Sequence, residues 1–412
     1  MPDHLELPPR ARLFHIGIPK SGTTSLQAAA RASRADLRRH GVLYPGSDIN
    51  HRLAVLGFMG RRWGTPGSPP PPREHWDELM AEVEAESKRR VLISHEFASE
   101  SDDEMAAAFV AELGDRTHVV VTLRSPGALL PSAWQQYVKT GNAMPFDDWL
   151  AAVIADPPDT SVTKTFHRRN DQGGVVRRWA RAAGAERVTV VVLDRTQPRL
   201  LLDTFERLLG VPAGTLSEQE LSGFARNRGL TVLESELFRA FNQRIRPHGV
   251  SWDVFERVVR SGALARVMDL DEGGSERLAM PAWAAKRAAE LGASYAETIE
   301  ATGVRVIGDL AILGEQVPAR DDDVAPPTQV PMDLAAEALA GMYSAAAWRG
   351  PFFGEPDRAG EDAEKALRIA RVKREASRFT FGEIARLGFW FVGSRLRRLV
   401  SRGSSRAPGG DR

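Results

Sequence analysis

The sequence predicts an α/β protein built on a central, mostly parallel β-sheet. Three observations carry this expectation. Four short runs are rich in β-branched residues and bounded by turns or charges, as strands buried on both faces are: LFHIGI (13–18), RVLISH (90–95), HVVVTL (118–123) and VTVVVL (188–193). Helix-period segments lie between them, and such alternation closes into a parallel sheet covered by helices. With 412 residues the chain is long enough for one large or two medium domains with a buried core.

The elements follow in order. The first strand runs into a helical pattern over 24–39. GTPGSPPPP (64–72) is a loop, because four consecutive prolines cannot donate to a helix or a ladder. Helical patterns over 74–89 and 105–113 precede the second and third strands, and one over 128–139 follows the third. Helical periodicity returns over 230–246 and 276–300, before a last apolar run, VRVIGDLAIL. The acidic, proline-rich VPARDDDVAPPTQVP (317–331) then reads as a linker. The expected organisation is a main domain over 1–316, this linker, and a helical, basic C-terminal extension over 332–412. No internal repeat is visible.

Composition narrows the function classes. Hydrophobic residues at 42% and charged residues at 26% are ordinary for a globular protein, and a net charge of +1 argues against a surface built for nucleic acid. The charge is unevenly spread: 365–412 holds 13 Lys and Arg against Glu375, Glu383 and Asp411, a net of +10 that leaves −9 on the preceding residues. The absence of cysteine excludes disulfides, thiolate nucleophiles and cysteine-ligated zinc. The nine histidines are scattered and no H-E-x-x-H motif occurs, so no metal site is expected. The opening MPDHLELPPRARLF has no secretory pattern, and no apolar run approaches the roughly 20 residues of a bilayer span, so the expected location is cytoplasmic. FTFGEIARLGFWFVGSRLRRLVSR (379–402) mixes aromatics with clustered arginines. It fits a helix lying on an anionic membrane surface, at the inner face of the membrane, or equally one docked on the domain or on a second subunit in a homo-oligomer.

HIGIPKSGTTSL (15–26) carries the first chemistry. Gly17 and Gly22 have the spacing of a nucleotide-binding P-loop, but Thr23 stands where that motif places its lysine, and Lys20 lies inside the loop instead. A strand, a glycine-containing turn and a helix N-terminus make an anion site. Gly22 allows close backbone approach, and Ser21, Thr23, Thr24 and Ser25 add hydroxyl donors. A second motif follows the third strand: in LRSPGALLPSAWQQYVKTG, Arg124 closes the strand, Pro126 suits a first helical turn, and Ser132 falls about two turns on.

Together PKSGTTSL and the Arg124–Pro126–Ser132 spacing resemble the sulfotransferases that use 3′-phosphoadenosine 5′-phosphosulfate (PAPS). The resemblance covers roughly 11–230, with weaker echoes beyond, and is nearest to bacterial and glycan-type members. It implies a P-loop-NTPase-like three-layer α/β/α fold and a PAPS donor. It also implies transfer of a sulfuryl group to a hydroxyl of a sugar, glycolipid or other small metabolite, without a metal. In this reading Lys20 meets the charge growing on the leaving phosphate oxygen. The loop 20–25 grips the 5′-phosphosulfate. Arg124 and Ser132 hold the 3′-phosphate, assisted by Arg226 and Arg228 in FARNRGLTVLESELFRAFN. Ser25 replaces a tryptophan found in cytosolic members, and their glycine-rich Arg–Lys segment is not evident, which leaves adenine stacking unassigned. The general base is Glu96, His95 or His51, the first two closing the second strand at the carboxyl edge where such sheets bind ligands. Trp63, Trp76 and Trp149 suit either sugar stacking or the core. Two other readings remain open. One is a magnesium-dependent kinase or NTPase in which Asp194 of VVVLD plays the Walker-B carboxylate. The other is a non-catalytic, membrane-associated protein on the same fold.

Overall fold

The computed structural model describes residues 5–62, 69–159, 162, 165–219, 228–270 and 276–347. The chain divides into a unit ending at Trp348 and a second, Arg349–Arg412, which lies outside the described residues together with the basic segment 379–402. Strands β1 (Arg12–His15), β2 (Val42–Leu43), β3 (Arg90–Ser94), β4 (Thr117–Leu123), β5 (Val188–Val192) and β7 (Arg305–Ile307) form one sheet in the order β2-β3-β1-β4-β5-β7. Every pairing in it is parallel. Residues 280–281 (β6) and 319–320 (β8) pair in a small second sheet.

Period-two alternation sorts the strand side chains onto two faces. Phe14, Val91, Ile93, Val119, Val121, Leu123, Val188 and Val190 join one apolar cluster. Helices Glu74–Ala85, Asp103–Leu113, Pro126–Val138, Gln172–Ala183 and Ala282–Glu300 cover it through residues such as Trp76, Phe109, Trp134 and Trp179. Leu13, Leu92, Val120 and Val191 face the other way, under Leu26, Ala29 and Ala30 of helix Thr23–Ala32 and Phe205 and Leu208 of helix Leu200–Leu209. The result is the three-layer α/β/α fold. Trp76 and Trp149 are fully buried in the core, so neither is available to stack on a sugar; Trp63 lies outside the described residues.

Sequence periodicity misses several elements. The expected helix 24–39 breaks at Ser33 into Thr23–Ala32 and Arg34–Arg39. The short edge strand β2 and helices Arg52–Phe58, Phe146–Val153 and Gln172–Ala183 were not anticipated. The segment 317–331 contains β8, and helix Met332–Ala347 beyond it crosses the π-helix Phe255–Leu264 so closely that a Cβ on Gly341 would lie 2.6 Å from the Gly262 carbonyl oxygen. Among the described residues no helix is long and apolar enough to cross a membrane.

The core contains histidines held neutral. Burial pushes His15 down to about 3, His51 to about 4 and His118 to about 4. Each folded value lies below the unfolded one, so the associated stability is complete above about pH 6.5 and is lost as pH falls toward those values. Each histidine contributes a slope of about 1.4 kcal/mol per pH unit in that window. The melting temperature therefore falls steeply from pH 6.5 to 4.5, and His118→Gln, remote from the loop, makes the fall shallower. An unchanged slope in that variant contradicts the assignment.

Candidate active site

Strand order places the site. Chain connections leave β1 toward β2 and β3 on one side and return across it to β4, and ligands bind at the carboxyl edge of such a switch point. The ends of β1, β3 and β4 carry the residues singled out above. Beyond His15 the chain keeps to the side of β4, with Ile16 N–H donating to Val120 O at 3.0 Å and Ile18 N–H to Thr122 O at 3.0 Å. It then turns sharply, with Gly17, Lys20 and Gly22 at φ of +58°, +70° and +79°. A left-handed lysine is uncommon and costs of order 1–3 kcal/mol, a cost met where surrounding structure over-determines it.

Two glycines make the loop feasible. A Cβ on Gly17 would fall 2.6 Å from Thr23 Cγ2 and 3.0 Å from Glu96 Cβ, so only glycine lets the end of β3 approach the loop. Gly22 is the N-cap of helix Thr23–Ala32 without any side-chain cap, and the N–H groups of Gly22, Thr23 and Thr24 find no backbone acceptor among the described residues. Donors left open at a helix start suit an anion. The hydroxyls divide. Ser21 is buried, donating to Ile18 O at 2.6 Å and lying 2.7 Å from Thr122 Oγ1. It closes the turn from within and does not face outward as expected for a phosphate donor. Thr23 is buried with its methyl beneath Gly17, whereas Thr24 is half-buried and Ser25 exposed.

Beneath the loop lies a polar layer that sequence reading missed. His15, Ser94 and Thr122 are the last side chains of β1, β3 and β4 on the face covered by helix Thr23–Ala32. His15 Nδ1 is 2.8 Å from Ser94 Oγ and its Nε2 is 3.1 Å from Thr122 Oγ1. Gln27, from the helix, donates to Ser94 Oγ and to Glu96 Oε2, both at 3.2 Å, and accepts from Asn50 Nδ2 at 3.1 Å. These bonds fix the loop and the Glu96 carboxylate relative to one another.

The three candidate bases now separate. His51 Nδ1 accepts the Ser94 N–H at 3.0 Å while Nε2 lies 3.0 Å from Pro45 O, so both nitrogens staple loop to strand. His95 Nδ1 accepts the Phe97 N–H at 3.2 Å as an N-terminal cap, and burial lowers its pKa. Neither imidazole keeps an open acceptor nitrogen, which argues against both as base. Burial pushes the Glu96 carboxyl up, but His95, a backbone N–H, Gln27 and His15 together pull it down, and the net value lies below the usual carboxylate range. Gln27 bonds Oε2, and no other side chain donates to this carboxylate among the described residues.

The cations are arranged around the loop. Lys20 Nζ donates to Gln136 Oε1 at 2.9 Å, from helix Pro126–Val138. Burial lowers the Lys20 pKa, Glu96 raises it and Arg124 lowers it further. Arg124, at the end of β4, is itself lowered by burial and by Arg195, and Gln172 Nε2 holds its carbonyl at 2.7 Å. Arg195 follows the adjacent strand β5, whose Leu193 N–H donates to Leu123 O at 2.9 Å; it is exposed and is a second guanidinium beside Arg124 that sequence reading missed. Ser132 is half-buried on helix Pro126–Val138, and no hydrogen bond engages its hydroxyl among the described residues.

Arg228 behaves otherwise than expected. Its Nε donates to Met268 O at 3.0 Å, Nη1 to Gly229 O and Glu234, and Nη2 to Glu234 and Val267 O. All five N–H groups are committed, so this side chain bolts segments together and has no donor for a phosphate. Arg226 lies outside the described residues. Asp194 also turns inward on its own turn, accepting Thr196 N–H at 2.7 Å and Gln197 Nε2 at 3.1 Å.

No protein-family model matches the chain, and no curated protein matches it. Among solved structures, a sulfotransferase from Alicyclobacillus acidocaldarius is similar, with a TM-score of 0.36 and 16% identity; the match covers 60% of this chain and 99% of that one.

Proposed function

We propose that this protein transfers the sulfuryl group of PAPS to a hydroxyl acceptor. The observation that supports the reading best is the placing of a half-buried ammonium, Lys20, under the electrostatic influence of the Glu96 carboxylate, beside a helix N-terminus whose first N–H groups have no backbone acceptor among the described residues. The donor's 5′-phosphosulfate would lie on the N–H groups of 22–24 with the Thr24 and Ser25 hydroxyls, and its 3′-phosphate on Arg124, Ser132 and Arg195. Glu96 takes the acceptor hydroxyl proton as the oxygen attacks sulfur in line. The new S–O bond forms while the bond from sulfur to the bridging oxygen breaks. The electron pair goes to the 5′-phosphate oxygen, where Lys20 meets the charge. The products are a sulfate ester and 3′-phosphoadenosine 5′-phosphate (PAP).

Calorimetry tests this directly: the full-length protein binds PAP, and radiolabelled sulfate passes from PAPS into a metabolite extract in the presence of a chelator. Heat with Mg–ATP and none with PAP overturns the reading in favour of a kinase or NTPase. If 379–402 instead makes the protein a non-catalytic adaptor at a membrane, function survives loss of Lys20 and fails on deletion of that segment. The two guanidiniums give a narrower prediction. Arg124→Gln weakens PAP about 10- to 100-fold while leaving AMP binding nearly unchanged, since a charge-assisted hydrogen bond is worth about 1.5–3 kcal/mol. Arg195→Gln shows a smaller loss in the same direction because its side chain is exposed. Equal losses for PAP and AMP refute the assignment.

A further inference from the structure

One half-buried cation is not used by this mechanism. Lys139 caps the carboxyl end of helix Pro126–Val138, and its Nζ touches the Met268 thioether at 3.4 Å. A thioether is a poor partner for an ammonium. The charged groups facing Lys139 are Lys20 from the loop, Arg228 and Glu234 from 228–245, and Arg260 from the π-helix Phe255–Leu264. Arg228 and Glu234 neutralise one another in a bidentate pair, and Arg260 is paired with Glu256. Lys139 therefore has no anionic partner among the described residues. Burial, Lys20 and Arg228 push it down, to about 8.

Its place along the helix says which part of the cleft it serves. Ser132, Gln136 and Lys139 stand at i, i+4 and i+7 and share one face. On the reading above, Ser132 lies toward the donor's 3′-phosphate and Gln136 holds Lys20 at the point of transfer. At about 1.5 Å of rise per residue, Lys139 lies about 4.5 Å beyond Gln136 along the axis, on the side away from the donor. That is where an acceptor must sit.

We propose that Lys139 binds an anionic group of the acceptor, so that the substrate is a hydroxyl compound already carrying a carboxylate, sulfate or phosphate. This rests on the sulfotransferase reading for its direction along the cleft, but the anion site itself does not. The chemistry implies that an earlier reaction has installed the acid on the acceptor.

The chain has only seven lysines, so 13C-lysine labelling resolves them, and Lys139→Arg assigns the resonance. Inorganic sulfate is titrated into the full-length protein with saturating PAP. The Lys139 resonance is expected to move with sulfate and its titration midpoint to rise by about one unit, as an added anion within hydrogen-bond reach requires. The exposed lysines remain still. A Lys139 resonance indifferent to sulfate overturns the proposal. If PAP fails to move the Lys20 resonance, the donor reading fails, while the response of Lys139 to sulfate still decides the anion site. With the labelled acceptor in hand, Lys139→Met raises KM about tenfold or more and changes kcat little, a loss of one charge-assisted contact. Lys139→Arg restores KM and removes its rise above pH 8, because a guanidinium does not titrate there. A KM unchanged in Lys139→Met, or a labelled product with no anionic group besides the new sulfate, refutes it.

Discussion

Glu96→Gln lowers sulfate transfer by about 10²- to 10⁴-fold, the range lost when a positioned general base is removed, while PAP binds as in the parent. The exchange is nearly isosteric and Gln27 can still bond the new amide, so the polar layer is kept and the loss is chemical. A second effect follows from the coupling to Lys20. The Glu96 carboxylate raises the Lys20 pKa against burial; removing it lets burial pull Lys20 lower. The residual activity of Glu96→Gln accordingly falls off at a lower alkaline pH than the parent's. On the acid side the Glu96 carboxyl lies below the ordinary carboxylate range, so on the proposed reading the rate persists until global acid unfolding intervenes. A variant with full activity and an unshifted alkaline limb removes Glu96 from the mechanism, and rate measurements from pH 5 to about 10 read both quantities at once.

Lys20→Met has the other large effect. It keeps the aliphatic stem and the buried volume but removes the ammonium, and kcat falls about 10²- to 10³-fold, the loss typical of one donor that meets transition-state charge. On the proposed reading PAP affinity changes much less, because its ground-state contacts are assigned to the loop N–H groups, Arg124 and Ser132. Lys20→Arg does not restore the rate: position 20 has φ +70° and its ammonium is aimed by Gln136 Oε1 at 2.9 Å, a geometry for a point charge and not for a planar fork. Pre-steady-state measurement of the first turnover separates the chemical step from PAP release. A Lys20→Met variant slowed only in PAP release, with an unimpaired first turnover, contradicts the assigned role.

The continuous β-branched-rich runs at 13–18, 90–95, 118–123 and 188–193 determined four of the six strands of the main sheet, because burial on both faces leaves few residue types to choose from. The two glycines marked the tight strand-to-helix turn for a similarly local reason, since positive φ and close approach favour bare backbone. Arg124 and Ser132 were singled out because their spacing resembles the sulfotransferase signature. Edge strand β2 is too short to leave a period, and helix Gln172–Ala183 opens on two glycines, poor helix formers, although Val175, Val176, Trp179 and Ala183 recur on one helical face. The sorting of the bases was beyond the sequence. His51, His95 and Glu96 are all candidate acceptors of a proton until tertiary packing assigns Ser94 N–H to one imidazole, Phe97 N–H to the second, and Gln27 to one carboxylate oxygen. Arg228 is spent in the same way on Glu234 and three carbonyls, and Arg195 and Lys139 gain meaning only from the neighbours that folding brings beside them. A sequence lists the donors and acceptors a chain owns. Which of them remain unpaired is decided by contacts between residues more than a hundred positions apart, such as Lys20 and Gln136 or His15 and Thr122, and the candidate site is built from that remainder.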